Sequence, residues 1–555
     1  MEERRVFITG AAGEGIQTIG DVVSHCFLQH GYPVFATSEF ESRIRGGNSS
    51  YRIRVSDEPR NAPFESADLL LAINATALDH YRPALCPGGL LIAPDPSSDG
   101  SSLHIPFTEL AVSSGGTQIH GNAVAAGALC AAIGLPFSVL EEVLSRTFDR
   151  KGEETVRSNV IAAEAGFAHT VSKLSKNRAD EIPSRENRYA FASAHETIPI
   201  AAAAAGCRFM AAYPMSPSTG IITTFARRPE LGVFVEQAED EIAAINMSLG
   251  ASAAGARAMT ATSGGGFALM VEAVSLAGMI ETPIVILLAQ RPGPATGLPT
   301  RTAQEDLLFA LRAGHGEFPK VLLAPSDPQS AIDVTARAFD LADRYQIPVI
   351  LLTDQFLADS RFSLERLTLP AVSPTPSFAN PNAADVYKRY RLTANGVSPR
   401  LYLGQDEKLM ALDSDEHTET GHITEDLAGV RPAMVEKRLE KGRRLKLEMA
   451  QPDSDGVEGA DLVLIGWGST KDAINEAVDR LRAAGRKAGS LHFTELWPLP
   501  DLDLPEDSRY WTVEGNATGQ FAHLLESEAG LQIEGKIGRY DGLPLDAETI
   551  LKELS

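Results

Sequence analysis

The sequence predicts an α/β protein of several domains. Three observations carry that prediction. Apolar runs of strand length, among them FMAAYP, PIVILLA (283–289) and IPVILLTD (347–354), alternate with alanine-rich segments that read as helices. Strands that are apolar throughout need cover on both faces, as in mostly parallel sheets flanked by helices. Several runs end in glycine turns that lead into helices, the pattern of strand–turn–helix units. Finally, 555 residues exceed what one hydrophobic core holds.

Residues 1–175 read as one α/β unit. RRVFITG is a strand, and GEGIQTIGDVVSHCFLQHG a helix that ends at Gly31. ADLLLAINA (67–75) and GLLIAP (89–94) are further buried strands, and GNAVAAGALCAAIG (121–134) is a small-residue helix. The polar stretch that follows has linker composition, with 176–191 as the linker. A second α/β unit, 192–368, carries the strands FMAAYP, GVFVEQ, ARAMTATS, PIVILLA, KVLLAP and IPVILLTD. Pro-rich LPAVSPTPSFANPNA opens a connecting segment, 369–458. Its basic stretch MVEKRLEKGRRLKLEM reads as a connecting helix. The last unit, 459–555, opens with the strand and glycine turn ADLVLIGWGST, then a helix, KDAINEAVDRLRAAG, and a strand, KAGSLHF.

Charge and composition exclude several functions. A formal net charge of −23 leaves no basic stripe to displace counterions, so no nucleic acid is expected as a partner. The longest apolar runs are too short to span a bilayer, so no membrane is expected. The N-terminus runs straight into a strand, without a secretory pattern, which predicts a cytoplasmic protein. Cys26, Cys86, Cys130 and Cys207 show no CxxC spacing. They form no zinc or iron–sulfur framework and read as reduced structural thiols.

Six stretches carry candidate chemistry. YPMSPSTG (213–220) holds Ser216 between prolines on a stiff elbow, because proline fixes its own φ and restricts the residue before it; plain strand-to-helix turns share that stiffness. GAAGEG (10–15) stands between a strand and a helix, where backbone N–H groups face an anion. The spacing is not GxGxxG, so a structural turn, a phosphorylated ligand and a nicotinamide cofactor all stay open. In SEFESRIRGGNSS (38–50), Arg43 and Arg45 beside Gly46, Gly47 and Asn48 are either solvated or placed to bring backbone close to an anion. VEQAEDEIAAINMSLGASAAGA (235–256) crowds Glu236, Glu239, Asp240 and Glu241 at a helix start. Part of that is N-terminal dipole charge. The helix then turns apolar, so a carboxylate at its edge would be desolvated and placed to bond a heterocycle nitrogen. TATSGGGFALM (260–270) and QRPGPATGLPTRTAQEDL (290–307) follow buried strands. Ser263, Gly264 and Gly265 favour close approach of a ligand or subunit, and Arg291 and Arg301 suit a carboxylate substrate. DEHTETGH (415–422) fits no zinc spacing well and reads as a polar surface loop.

Together these stretches resemble the 2-oxoacid:ferredoxin oxidoreductases, in the fused γ–α large-subunit form of the 2-oxoglutarate type. GxxGxGIQ with ESRIRGGNS is similar to the γ domain. YPMSPST, QAEDEIAAINMSLGAS, TATSGGGF and RPGPATGLPTRTAQEDL are similar to the α core, a thiamine diphosphate pyrimidine-binding-type domain. SDEHTETGHITED is similar to a stretch of the 2-oxoglutarate-type large subunits. GWGST with VEGNATGQ (513–520) is similar to a transketolase C-terminal-like domain. Ser216 stands where the family carries Thr, and SGGG where SGPG is usual.

The resemblance implies decarboxylation of 2-oxoglutarate to succinyl-CoA and CO2, reversible as in a reductive TCA cycle. Electrons would pass to ferredoxin. It implies catalytic roles for Glu241, which would bond the aminopyrimidine, and Ser216. Tyr213, Pro214, Ser216, Glu241, Ser263, Gly264 and Gly265 would contact thiamine diphosphate. Arg291 or Arg301, with Ser216, would hold the substrate carboxylate. Gly13, Gly15, Arg43, Arg45, Gly46, Gly47 and Asn48 are candidates for coenzyme A or closure loops. No GDG with a downstream Asn is present, so no metal site is expected on this chain. Mg2+ and a four-iron four-sulfur cluster would sit on a β subunit in an (αβ)2 heterotetramer. Pyruvate or a branched-chain 2-oxoacid is the same-class alternative, and a nicotinamide-binding Rossmann protein the different-class one.

Overall fold

The computed structural model describes residues 3–42, 46–96, 102–174, 181–371, 378–380 and 386–555. The chain forms two compact units. One runs up to Ala192 and includes Asp359–Leu367; the other comprises Ser193–Ala358 and Thr368–Ser555.

The first unit is built on an eight-stranded mixed sheet, in the order Ser102–His104, Leu85–Ala93, Ala67–Ala72, Arg4–Ala12, Gly46–Val55, Val34–Glu39, Arg361–Leu364, Ala190–Ala192. Arg4–Ala12 is parallel to Ala67–Ala72 and antiparallel to Gly46–Val55. The amphipathic helix Ile16–Gln29 lays Ile19, Val23 and Phe27 on the core. Small residues explain the next layer. Helix Gly121–Ile133 crosses helix Glu153–Lys173 so closely that a Cβ on Gly127 would lie 2.0 Å from the Ala163 carbonyl, and one on Gly166 2.1 Å from the Val124 carbonyl. Cys26 and Cys130 are buried as free thiols, and burial pushes the Cys26 thiol up.

The second unit holds a seven-stranded sheet, ordered Glu495–Trp497, Val321–Leu323, Pro348–Asp354, Ile284–Gln290, Arg257–Thr262, Cys207–Ala212, Phe234–Gln237. Its strands are parallel except the edge strand Glu495–Trp497. Every apolar run assigned to this sheet from sequence forms a strand, and the central ones are buried along their whole length. A five-stranded sheet follows, ordered Asp453–Asp455, Ala488–Phe493, Leu462–Trp467, Arg509–Glu514, Ile533–Gly538. Both sheets contribute to one core: Leu288, Leu322 and Ile350 belong to the same cluster as Trp467, Phe493 and Phe521.

One expectation is met with a qualification and another needs correction. The basic stretch forms the expected helix, Val430–Lys446, and two of its cations are buried. Lys437 and Lys441 are buried and donate to the Glu281 carboxylate, with Lys437 Nζ 2.5 and 2.6 Å from its two oxygens. The two ammoniums hold the Glu281 carboxyl far below its usual range against burial, while burial lowers Lys441 to about 7. Likewise, His417 is fully buried rather than part of a surface loop. Its ring packs against Tyr390, tilted by 37° with centroids 3.8 Å apart, and burial lowers its pKa. Among the described residues no three His, Cys, Asp or Glu side chains gather as metal ligands, and no helix is long and apolar enough to cross a membrane.

Candidate active site

Because the strands ending at Ala212, Gln237, Thr262 and Gln290 run parallel, the loops that follow them emerge from one edge of the sheet. Such an edge is where open α/β sheets bind ligands. The loop after Gln237 reaches Asp240, whose side chain accepts the Ala243 N–H at 2.7 Å and caps helix Glu241–Ala253. Glu241 is thus the first helical residue. It is 3% exposed, and its Oε1 has no partner.

The glycine run after the next strand lies against that carboxylate. A Cβ on Gly266 would sit 2.5 Å from Glu241 Oε1 and 2.1 Å from Thr262 Oγ1. A Cβ on Gly264 would sit 2.6 Å from Asp306 Oδ2, which is also buried and unpartnered. Gly265 is exposed, and a Cβ there meets only the Ala295 carbonyl at 3.9 Å. Ser263 Oγ is buried without a partner too. Buried polar atoms are normally paired, so these orphans at one sheet edge call for a ligand.

Asp306 was not singled out in the sequence, although QEDL contains it. Burial first, and then the neighbouring Glu305 charge, push its carboxyl up to about 6; Arg291 pulls the other way. Arg291 itself is lowered by burial. Its Nη1 donates to the Ser216 carbonyl at 2.7 Å, so the structure joins Arg291, Asp306 and the elbow. Arg301 sits elsewhere on the loop: its stem packs beside Gly542, whose carbonyl accepts the Thr302 N–H at 3.1 Å.

On the elbow, Tyr213 and Ser216 are exposed and Pro214 half-buried. The hydroxyl that ties the turn is Ser218, which is buried and donates to the Met215 carbonyl at 2.7 Å. His195 Nε2 lies 2.8 Å from the Pro217 carbonyl and braces the other side.

VEGNATGQ holds the 290–307 loop in place. Asn516 Nδ2 donates to the Gln304 carbonyl at 3.0 Å, and Gln304 Oε1 accepts the Gly515 N–H at 2.8 Å. Gln520 reaches across: its Nε2 donates to the Glu305 carbonyl at 2.6 Å and its Oε1 accepts the Leu308 N–H at 2.9 Å. Glu514 accepts from the Phe521 and Ala522 N–H groups and from Asn516. The motif therefore buttresses Asp306 and Arg291 from the second sheet.

The remaining candidates lie in the first unit. Gly13 and Gly15 adopt φ of +92° and +79°, conformations that favour glycine. The Ala11 N–H, one of the donors an anion would seek, is taken by Glu14 Oε2 at 2.7 Å, which also accepts from Asn74. Gly46, Gly47 and Asn48 begin the strand Gly46–Val55. Arg43 and Arg45 lie outside the described residues.

Residues 200–437 match a family model described as pyruvate flavodoxin/ferredoxin oxidoreductase, thiamine diphosphate-binding. Residues 5–169 match pyruvate ferredoxin/flavodoxin oxidoreductase. Subunit alpha of 2-oxoacid:ferredoxin oxidoreductase 2 from Aeropyrum pernix is 30% identical over 98% of this chain and 96% of its own. The chain belongs to the 2-oxoacid:ferredoxin oxidoreductase family. It is an alpha-type subunit of this thiamine diphosphate-dependent class, which implies a partner subunit. The 2-oxoglutarate synthase subunit KorA of Methanothermobacter marburgensis is 32% identical over 61% of this chain and 93% of its own. A solved 2-oxoglutarate:ferredoxin oxidoreductase from Magnetococcus marinus, with 2-oxoglutarate, coenzyme A and succinyl-CoA bound, superposes with a TM-score of 0.92. It is 31% identical and covers 100% of this chain and 99% of that one.

Proposed function

We propose that this chain is the large subunit of a 2-oxoglutarate:ferredoxin oxidoreductase. The reaction converts 2-oxoglutarate and coenzyme A to succinyl-CoA and CO2, and its electron pair leaves singly to ferredoxin. The single observation behind the substrate is the full-length likeness to the Magnetococcus marinus enzyme, whose ligands are 2-oxoglutarate, coenzyme A and succinyl-CoA. The KorA likeness supports it.

The residues present fit thiamine diphosphate. Glu241 Oε1, buried and unpartnered, suits a ring N–H, and exposed Gly265 leaves room for a flat group against the helix start. When bound, the cofactor supplies the electron sink for decarboxylation. Glu241 would hold a proton at Oε1 against the pyrimidine nitrogen. Ser263, Gly264 and the Tyr213–Pro214–Ser216 elbow would line the ring. Arg291, fixed to the elbow carbonyl through Nη1, would offer its remaining donors to a substrate carboxylate. Arg301 is the second candidate for that task.

Ile242 and Met247, on the helix whose composition reads as buried, are exposed, and so is Leu269 on the helix after the glycine run. They support a subunit interface there. The partner would be a β subunit that carries Mg2+ and the four-iron four-sulfur cluster, in an (αβ)2 assembly. The segments 1–175, 192–368 and 459–555 serve as the γ, pyrimidine-type and transketolase C-terminal-like domains, joined by 176–191 and 369–458. Gly13, Gly15, Gly46, Gly47 and Asn48, with Arg43 and Arg45, are proposed for coenzyme A or closure.

The test is anaerobic co-purification with the small subunit, followed by coenzyme A-dependent viologen reduction. A rate with 2-oxoglutarate well above those with pyruvate and branched-chain oxoacids is expected. A preference for pyruvate would overturn the substrate, and no reduction by a complex loaded with cofactor and iron would overturn the reaction.

A further inference from the structure

A cavity of about 730 Å3 opens between the C-terminal end of helix Pro328–Tyr345, residues 391–400 and the last turn of helix Val430–Lys446. It adjoins Gln346, just before strand Pro348–Asp354 begins, so it lies at the opposite end of that strand from the loops of the Glu241 site. Arg344, Arg391, Arg400 and Arg444 line it, against the carboxylates Asp343 and Glu448. Arg344 is answered by Asp340 and Glu448, and Arg444 by Glu440, which leaves Arg391 and Arg400 against Asp343, a local positive excess in a chain of net charge −23.

The excess continues beneath the cavity floor. Asp343 is shared by two guanidinium groups: Arg400 Nη2 lies 2.8 Å from Oδ1 and Arg257 Nη2 3.2 Å from Oδ2. Arg389, fully buried, donates to the neutral Gln346 Oε1 at 2.9 Å and to the Glu281 carbonyl at 2.6 Å. The Glu281 carboxylate is already held by two lysines. The buried cations therefore outnumber the buried anions, which is costly unless a counter-charge is supplied. Arg400 is 6% exposed; its guanidinium lies over the Phe378 ring, 4.9 Å from the centroid, and its Nε and Nη1 have no hydrogen-bond partner. Burial lowers it to about 10, with Arg389 and Arg257 adding repulsion. At the exposed rim, Arg391 makes no ion pair within 4 Å among the described residues, and the Glu419 carboxylate feels its charge only at longer range. Asn395 Oδ1 accepts the Val397 N–H at 3.1 Å and the Thr393 hydroxyl at 3.0 Å, which leaves Nδ2 as a donor.

We propose that this cavity is a second ligand site, which receives a phosphate group on Arg400, Arg391 and Asn395. A doubly charged phosphate answers an excess of more than one cation better than a single carboxylate does, and guanidinium groups bind phosphate oxygens with charge-assisted hydrogen bonds. The site is independent of the reaction assigned above.

The experiment uses the complex with its partner subunit, saturated with thiamine diphosphate so that diphosphate-binding groups are occupied. The melting midpoint is followed against inorganic phosphate, against AMP, and against chloride at equal ionic strength. A ligand that binds only the folded state raises the midpoint saturably. Phosphate or AMP should do so where chloride does not. Arg391→Gln, a change at an exposed and unpaired residue, should weaken the apparent affinity about tenfold or more while leaving the phosphate-free viologen rate unchanged. Arg400→Gln should abolish the shift. AMP tighter than phosphate assigns the site to a phosphomonoester, and phosphate as tight or tighter assigns it to the free ion. An identical midpoint in phosphate, AMP and chloride would overturn the proposal, as would a full shift retained by Arg391→Gln.

Discussion

Replacing Gly266 with alanine should cripple the site, while the same change one residue earlier should not disturb the fold. At position 266 the new methyl would lie 2.1 Å from Thr262 Oγ1 and 2.5 Å from Glu241 Oε1. Both distances are well inside contact. Thr262 is fully buried and Glu241 is 3% exposed, so neither can swing into solvent. Overpacking of this kind costs about 1–3 kcal/mol, and alanine's better helix propensity, about 1 kcal/mol, offsets only part of it. The larger effect falls on function. Displacing the Glu241 carboxylate by roughly 1 Å is enough to lower turnover on the order of 100-fold. At Gly265 the added methyl meets nothing closer than 3.9 Å. Gly265→Ala should therefore keep or slightly raise the melting midpoint, and any loss it causes should appear as weaker thiamine diphosphate binding. Calorimetric melting and viologen reduction across a cofactor titration separate the two effects. Wild-type turnover in Gly266→Ala at saturating cofactor would refute the packing argument.

Other expectations rest on charge. Glu281→Gln strips two buried ammoniums of their counter-ion. It should destabilise the second unit by about 3–5 kcal/mol, less whatever Lys441 recovers by shedding its proton, read as a lower melting midpoint. Asp306 has a folded pKa raised to about 6, so between roughly pH 4 and 6 the folded state holds a proton that the unfolded state has lost. Its contribution makes stability fall as pH rises through that window, and Asp306→Asn should flatten the slope; an unchanged slope would count against it. Arg291→Lys loses the planar fork and should raise the KM for the oxoacid more than it lowers kcat. Equal KM values would place the substrate carboxylate elsewhere.

Much of the fold was legible because its signals are local. PIVILLA and IPVILLTD are apolar along their whole length, and only a two-sided parallel sheet buries such runs; both became central strands. The glycines of SGGG and the proline elbow also declared themselves, since close approach and fixed φ need those residue types. What escaped depends on partners distant in sequence. Asp306 looks like one more acidic residue until Gly264 is seen packed on its carboxylate. On the elbow, Ser216 and Ser218 look equivalent, yet only Ser218 is buried and bonded. The burial of Lys437 and Lys441 could not be seen in their own stretch, because their counter-charge, Glu281, lies far back in the chain. VEGNATGQ matched the family by its letters, but its work, holding the 290–307 loop from another sheet, appears only when Asn516 is found on Gln304. Ile242 and Met247 show the reverse failure: apolar composition read as core, where the folded chain leaves them exposed.

The central claim is that Glu241 offers a buried, unpartnered carboxyl to the cofactor. Glu241→Gln tests it most directly, because the change keeps volume and removes the ionisable proton partner. In the complex with the partner subunit, viologen reduction with 2-oxoglutarate should vanish while assembly and melting midpoint hold. A variant that assembles and turns over at the wild-type rate would contradict the account.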